Sequence, residues 1–240
     1  MEQRVYAVMR QKEDRHWWFR GRRAVIEALL GRVGGSGERT ILDVGCGTGR
    51  NMEMYRAHGD VFGVDPSPEA VEFCRDRGIE DVRVGDAVDL PYEAGEFGLL
   101  TATDVIEHVE DDGAALREMH RVAAADARLL LTVPAYRWMW SDEDERLGHY
   151  RRYSRDELVD RAREAGWEPH FCTHFNTILL PPIALARRLP SCGGESTELE
   201  RTPAALDSLL SMPMRLEAKL VARGLSLPAG VSLGLVCRRA

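Results

Sequence analysis

Residues 40–50 read Thr40-Ile41-Leu42-Asp43-Val44-Gly45-Cys46-Gly47-Thr48-Gly49-Arg50, and no other segment narrows the fold as much. TILDV (40–44) is a short apolar run of the kind expected of a strand buried on both faces. It leads into a glycine-rich turn, and a helix is expected directly after it. Glycine is needed there because the backbone must turn sharply and let a ligand approach without a Cβ in the way. Amides exposed at the start of a helix favour negative charge, such as a carboxylate or phosphate. A purely structural turn would use glycines too, so the acids that follow sharpen the reading. Asp65 closes the second strand twenty positions after Gly45, where a carboxylate can accept both ribose hydroxyls. Asp86 closes the third strand, where an acid can accept from an exocyclic adenine amine.

The glycine spacing separates two cofactor chemistries. A dinucleotide fingerprint, GxGxxG, would place its third glycine at position 50. Arg50 stands there instead, and Gly45, Gly47 and Gly49 run as GxGxG. An arginine at that point obstructs close packing and the approach of a pyrophosphate. The spacing therefore favours S-adenosylmethionine, which carries no phosphate, over a nicotinamide dinucleotide.

Strand and helix signals alternate from about residue 39 to 175. VFGVD (61–65) reads as the second strand, after which Ser67 can cap a helix and Pro68 suits its first turn. That helix buries Ala70, Val71 and Cys74 and stops at Gly78. VRVGD (82–86) and FGLLTATD (97–104) read as the third and fourth strands. Asp112 is expected to cap the next helix, in which Ala115, Leu116, Met119 and Val122 recur at helical spacing. RLLLTVP (128–134) reads as the fifth strand. Ser154 and Glu157 form a capping-box pattern for a helix that ends at Gly166. HFCTHF (170–175) and VSLGLVCRR (231–239) supply the last two strands. This order implies an α/β fold, a mostly parallel sheet with helices on both faces and right-handed crossovers. The chain divides into an N-terminal helical lid segment (1–38) with an amphipathic helix near 18–31, a cofactor-binding core (39–175), a helical insertion (176–228) and a final core strand (229–240). Gly193-Gly194 and the polar stretch after them read as a mobile loop.

Of the 240 residues 44% are apolar, enough for one domain with a sizeable core. The net charge of −7 argues against nucleic acid as the main partner. So does the lack of an Asn-Pro-Pro-Tyr or Asp-Pro-Pro-Tyr base-flipping motif after the fourth strand. The arginine clusters at Arg20, Arg22 and Arg23 and at Arg151, Arg152 and Arg155 are either ordinary surface charge or contacts to an anionic substrate. Cys46, Cys74, Cys172, Cys192 and Cys237 are scattered and never spaced as CxxC, which fits a reducing cytoplasm and gives no metal site. The acidic run Asp142–Glu145 is read as a solvated loop. The charged N-terminus lacks an apolar signal segment, and the longest apolar run, 177–186, is too short to span a bilayer. A soluble, cytoplasmic protein is expected, and the oligomeric state is left open.

LDVGCGTG, GVDPSPEAV, GDAVDLPYEAGEFGLLTATDVIEHVED and the final strands, in that order, resemble the class I methyltransferases, which use S-adenosylmethionine. The resemblance covers roughly residues 38–175 and implies a Rossmann-like sheet of seven strands, one of them antiparallel. It implies that Gly45, Gly47 and Gly49 cradle the methionine part of the cofactor, with Cys46 in the same loop. Asp43 would anchor that loop, Asp65 with Pro66 beside it would hold the ribose, and Asp86 with Ala87 the adenine. Asp104 would face the methyl-transfer cleft. HWWFRGRR (16–23), PAYRWMWS (134–141) and HYRRYS (149–154) resemble signatures of one bacterial subgroup that accompanies polysaccharide and natural-product pathways.

Methyl transfer is an in-line displacement at a sulfonium carbon, so the site must hold nucleophile and methyl together in a dry cleft. A base is needed only where the nucleophile arrives protonated. His108, just past the fourth strand, is one candidate, although its turn also suits a cofactor contact. His149 is another, either a base tuned by carboxylates or a loop histidine pairing with them. Tyr150 and Tyr153 are lesser candidates. Trp17, Trp18, Trp138 and Trp140 either pack or close over the cleft from two sides, and Trp18 and Arg22 are expected to help hold the cofactor. The run Ile178–Arg188 is read as a lid over an apolar substrate, with weak contact to lipid headgroups as the alternative. The expected activity is methyl transfer to a small-molecule acceptor (saccharide, lipid-linked or natural-product intermediate), yielding S-adenosylhomocysteine. A catalytically silent sensor or partner subunit that binds the same cofactor is the other reading.

Overall fold

The computed structural model describes residues 3–34, 39–188 and 206–240. Two helices, α1 (Gln3–Lys12) and α2 (Trp17–Val33), precede the first strand. Strand β1 (Thr40–Val44) and helix α3 (Arg50–Tyr55) flank the glycine turn. They are followed by β2 (Asp60–Asp65), α4 (Pro68–Asp76), β3 (Val82–Val84), β4 (Phe97–Thr103), a 3-10 turn (Ile106–His108) and α5 (Asp112–Val122). Next come β5 (Ala123–Pro134), α6 (Asp142–Leu147), α7 (Arg155–Glu164), β6 (Trp167–Phe175), α8 (Leu180–Arg188), α9 (Asp207–Ala222) and β7 (Ser232–Arg239).

The seven strands form one sheet in the order β3-β2-β1-β4-β5-β7-β6. The strands run parallel except β7, which is antiparallel to both β5 and β6. The order reverses between β1 and β4, so a crevice opens beyond the carboxyl ends of those strands. Alternate side chains feed two cores. Ile41, Leu99, Leu130 and Val236 face α2, α3, α4 and α9. Leu42, Leu100, Leu129 and Leu235 face α5 and α7. Both faces are therefore dry, and each buried aliphatic side chain contributes about 1.5–3 kcal/mol of transfer free energy.

Local signals explain most of the boundaries. Ser67 Oγ accepts from Ala70 N at 3.3 Å, with Pro68 in the first turn of α4. The Ser154–Glu157 capping box starts α7 in both directions. Three expectations need correction. The cap of α5 is Asp111, which accepts from Ala114 N at 2.8 Å. Asp112 is instead the first helical residue, and its carboxylate is turned inward to Tyr153 and Arg151. Strand β5 starts at Ala123, because Ala123 pairs with Phe97 across a β-bulge that the alanine-rich sequence does not announce. Helix α1 lies within the segment expected to be helical, in which the sequence located only α2. The Asp142–Glu145 run is a helix rather than a solvated loop: Ser141 and Asp144 cap it reciprocally, and Asp144 is buried.

Of the insertion, α9 packs lengthwise on α2. A Cβ at Gly21 would sit 2.5 Å from Met214 Sδ, so only glycine permits this approach. Asp207 Oδ1 accepts from the Trp17 amide at 2.9 Å, joining the starts of the two helices. Gly193-Gly194 and the polar stretch after them lie outside the described residues. Among the described residues, no helix is long and apolar enough to cross a membrane.

Candidate active site

A single cavity of about 1010 Å³ occupies the crevice at the strand switch. Single-ligand sites usually span roughly 300–1,000 Å³, so this one has room for a cofactor and a second molecule. Its floor is the glycine turn. Gly45 has φ 67°, and a Cβ there would meet Val105 Cγ2 at 2.5 Å. Gly49 has φ 77° and caps α3, where a Cβ would touch Cys74 and Ile79. Both positions exclude other residues on conformation and on space.

Asp65, at the end of β2, ties the turn to its surroundings. Its Oδ2 accepts from Gly47 N at 2.9 Å, and its Oδ1 accepts from Ser67 N at 2.9 Å and Tyr6 Oη at 3.0 Å. Burial raises its pKa above the usual carboxylate value, against the pull of those hydrogen bonds. A carboxylate has about four acceptor sites. Two hydroxyls of a ribose could therefore be bound once Tyr6 yields its place. Asp86 is exposed at the cavity edge, where its Oδ1 accepts from Val88 N at 3.1 Å, and Ala87 and Pro66 lie beside it in the wall.

Helix α1 is clamped over this floor. Glu13 accepts from Thr48 Oγ1 and from Arg77, and Arg77 Nε also holds the Thr48 carbonyl at 2.8 Å. Arg22 of α2 reaches across the cleft and pairs with Asp104, whose other oxygen accepts from Thr132 Oγ1 at 3.0 Å. Asp104 adopts φ 59°, which turns the chain sharply into the 3-10 segment.

The far end of the cavity is built by that 3-10 segment and by α6 with the loop after it. Asp144 is the anchor. Arg152 donates to it through two nitrogens, at 2.7 and 2.9 Å, and His149 Nδ1 lies 2.8 Å from its Oδ1. Burial alone would raise the Asp144 pKa, but the His149 and Arg152 contacts outweigh it and hold the carboxyl well below the ordinary range. Removing either charge would strand the other in the interior, at a cost of about 3–5 kcal/mol. His108 lies against His149 with ring centroids 4.5 Å apart. Burial first, and the neighbouring His149 second, lower its pKa to about 4, so it is neutral at pH 7. Glu107 is wholly buried, and burial drives its pKa well above the usual value.

Residues 42–131 match the family model described as methyltransferase domain. They include the glycine turn, Asp65, Asp86, Asp104 and His108. This segment is thus similar to a methyltransferase domain. Ajmaline N-methyltransferase of Rauvolfia serpentina is 36% identical over 155 residues, covering 60% of this chain and 51% of that protein. The chain spans about half the length of this curated relative. A SAM-dependent methyltransferase structure from Thermotoga maritima superposes with a TM-score of 0.61 at 20% identity, covering 98% of this chain and 99% of the other. The structure of geranyl diphosphate methyltransferase in complex with SAM gives a TM-score of 0.61 at 22% identity, covering 92% of this chain and 85% of the other. At these identities the two structures establish the fold.

Around the cavity the fold gathers Gly45, Cys46, Gly47, Asp65, Pro66, Asp86, Ala87, Asp104, Trp18, Arg22, His108, His149 and Tyr150. Asp43 and Gly49 are not in its wall. Asp43 sits beneath the turn, accepting from Thr101 Oγ1 at 2.7 Å, and Gly49 packs behind it on Cys74. Tyr153 is withdrawn from the site, its hydroxyl donating to Asp112 at 2.7 Å. Trp138 and Trp140 are not in the cavity wall either; Trp138 is exposed and stacks on Tyr136. Of the two tryptophan pairs only Trp17 and Trp18 are in the wall, together with Ile183, Ala186 and Arg187 of α8, which belong to the run expected to form a lid. Tyr6, Glu107, Asp144 and Asn176 also line the cavity. Their local sequence carried no site signal, because each is brought there by tertiary packing.

Proposed function

We propose that this chain transfers a methyl group from S-adenosylmethionine to a small-molecule acceptor. The carrying observation is one continuous cavity with two unlike ends: the Gly45–Gly47 turn, Asp65 and Asp86 at one, and Glu107, His108, His149 and Tyr150 at the other. The adenosine lies along Asp65, Pro66, Asp86 and Ala87, and the amino-acid part lies on the turn near Arg22, Asp104 and Trp18. The methyl points to the His149 end. There the acceptor's lone pair forms the new bond to carbon while the sulfur–carbon bond breaks toward sulfur, leaving S-adenosylhomocysteine. His149, oriented through Nδ1 by Asp144, takes the proton of a protonated acceptor, with His108 and Tyr150 beside it.

Residues 176–188 act as a lid, since Ile183, Ala186 and Arg187 give the acceptor end an apolar wall edged by a cation. A saccharide, lipid-linked or natural-product intermediate fits this mixed lining, and ajmaline N-methyltransferase offers a natural-product precedent. The HWWFRGRR and HYRRYS segments and the scattered free thiols support a bacterial, cytoplasmic setting. Calorimetry with S-adenosylmethionine and S-adenosylhomocysteine tests the reading, using wild type and Asp65→Ala. Micromolar binding that the variant loses is the expected result. A folded wild-type protein that binds neither compound would refute it.

A further inference from the structure

Three side chains with metal-ligating atoms converge at the acceptor end. One ligand atom from each of Glu107, His108 and His149 lies within 4.8 Å of the other two. All three line the cavity. The two parts come from the 3-10 turn after β4 and the loop after α6, and the Tyr150 amide donates to the Glu107 carbonyl at 2.8 Å to fix one against the other.

Among the described residues, Glu107 is a buried carboxylate that the rest of the site leaves unexplained. It has no exposed surface, yet neither carboxylate oxygen has a hydrogen-bond partner in another residue. Arg22 and Arg152, whose fields reach it, are bonded to Asp104 and Asp144. A buried carboxylate without partners is costly unless a proton or a cation neutralises it, and a protonated one would still need an acceptor for its O–H. His108 Nδ1 is likewise buried without a partner. His149 shows the complementary arrangement. Asp144 engages its Nδ1, and Asp144 is itself held by Arg152 and by the Ser141 amide at 2.9 Å. A carboxylate on one imidazole nitrogen fixes the tautomer and presents the other nitrogen as a ligand, which is the usual support behind a metal-bound histidine.

We propose that Glu107, His108 and His149 bind one divalent transition-metal cation, with its open coordination positions facing the acceptor. Two nitrogens and one carboxylate suit Zn²⁺ or Mn²⁺ better than Mg²⁺ or Ca²⁺, which prefer oxygen. Ligands at about 2.1 Å around a tetrahedral ion sit roughly 3.4 Å apart, so each side chain closes in by less than about 1 Å. The role of the ion in the reaction rests on the methyltransferase reading; the site itself does not. An acceptor hydroxyl bound to the ion loses its proton to solvent, and its oxygen then attacks the methyl carbon as the sulfur–carbon bond breaks toward sulfur. His149 is then a ligand, and the ion replaces it as the group that promotes deprotonation. The acceptor class is accordingly a hydroxyl compound.

The test is metal binding on full-length protein stripped with chelator, by equilibrium dialysis with ZnCl₂ or MnCl₂, with Co²⁺ absorption as a spectroscopic check on the ligand set. One equivalent per chain is expected. Glu107→Gln and His149→Ala should each weaken binding at least tenfold, while S-adenosylmethionine affinity measured in parallel stays within a few-fold and confirms that each variant is folded. Asp65→Ala should lose the cofactor and keep the metal. No stoichiometric binding by folded wild type, or binding unchanged in both variants, overturns the proposal. Cofactor binding without metal would overturn this inference alone and leave His149 as the base. Metal binding without cofactor affinity would support the site and sink the methyltransferase reading.

Discussion

Asp43 lies at the end of β1 with 1% of its surface exposed, and burial raises its pKa to about 7. In the unfolded chain it titrates near the ordinary value of 3.8. Between those values the folded protein holds a proton that the unfolded chain has lost, so this residue's contribution to stability falls as pH rises from about 4 to about 7. Asp43→Asn keeps an acceptor for Thr101 and removes the titration. Its stability relative to wild type, measured by urea unfolding, should improve by a few kcal/mol between pH 5 and pH 8. An equal difference at both values would show that the turn carries an ionised Asp43 without penalty. Gly45, Asp65 and Asp86, which the sequence places together, reach one cavity wall because the chain puts them at or just beyond strand ends, in order. Glu107, Asp144 and Tyr6 could not be read that way. Asp144 becomes an anchor only because Arg152 and His149 fold back onto it.

At the scale of elements, what was legible depended on whether the instruction is local. The capping box of α7 and the Ser67 cap of α4 are written within four residues of each helix start. Helix α1 has no such signature, because its position comes from Glu13, far away in sequence from its partners Thr48 and Arg77. Glu13→Ala should release α1 from the glycine turn while the sheet stays folded. Arg77 keeps Glu53 at 3.0 Å, which limits the damage to the clamp. Amide exchange in residues 3–12 should rise by at least an order of magnitude with little change in β1 or β4. Unchanged protection there would mean that packing through Tyr6 and Met9 alone holds the helix.

The whole molecule closes its cavity with segments from both ends of the chain, α1 and α2 from one side and α8 from the other, with α9 bracing α2. Ligand binding should therefore stabilise the molecule as a unit. At a hundredfold excess over Kd, S-adenosylmethionine adds about 2.7 kcal/mol, which in a chain of this length raises Tm by roughly 5–10 °C. Calorimetric scans with and without ligand check this, and a rise confined to one of two resolved transitions would show that the ends unfold separately. The sheet was readable because its strands are apolar and bounded by local turn and cap signals. The covering helices were legible as helices, α2 and α8 among them, but not how Glu13, Arg22 and Arg187 meet the sheet, because tertiary packing sets those contacts. That division has an evolutionary consequence. The family model matches only 42–131, which holds the floor and the 3-10 turn at the far end. His149, Asp144 and α8 lie beyond it, on segments that do not build the glycine turn. If the proposed methyl transfer holds, a lineage carrying this architecture could exchange one acceptor for another largely by rewriting the segments outside 42–131.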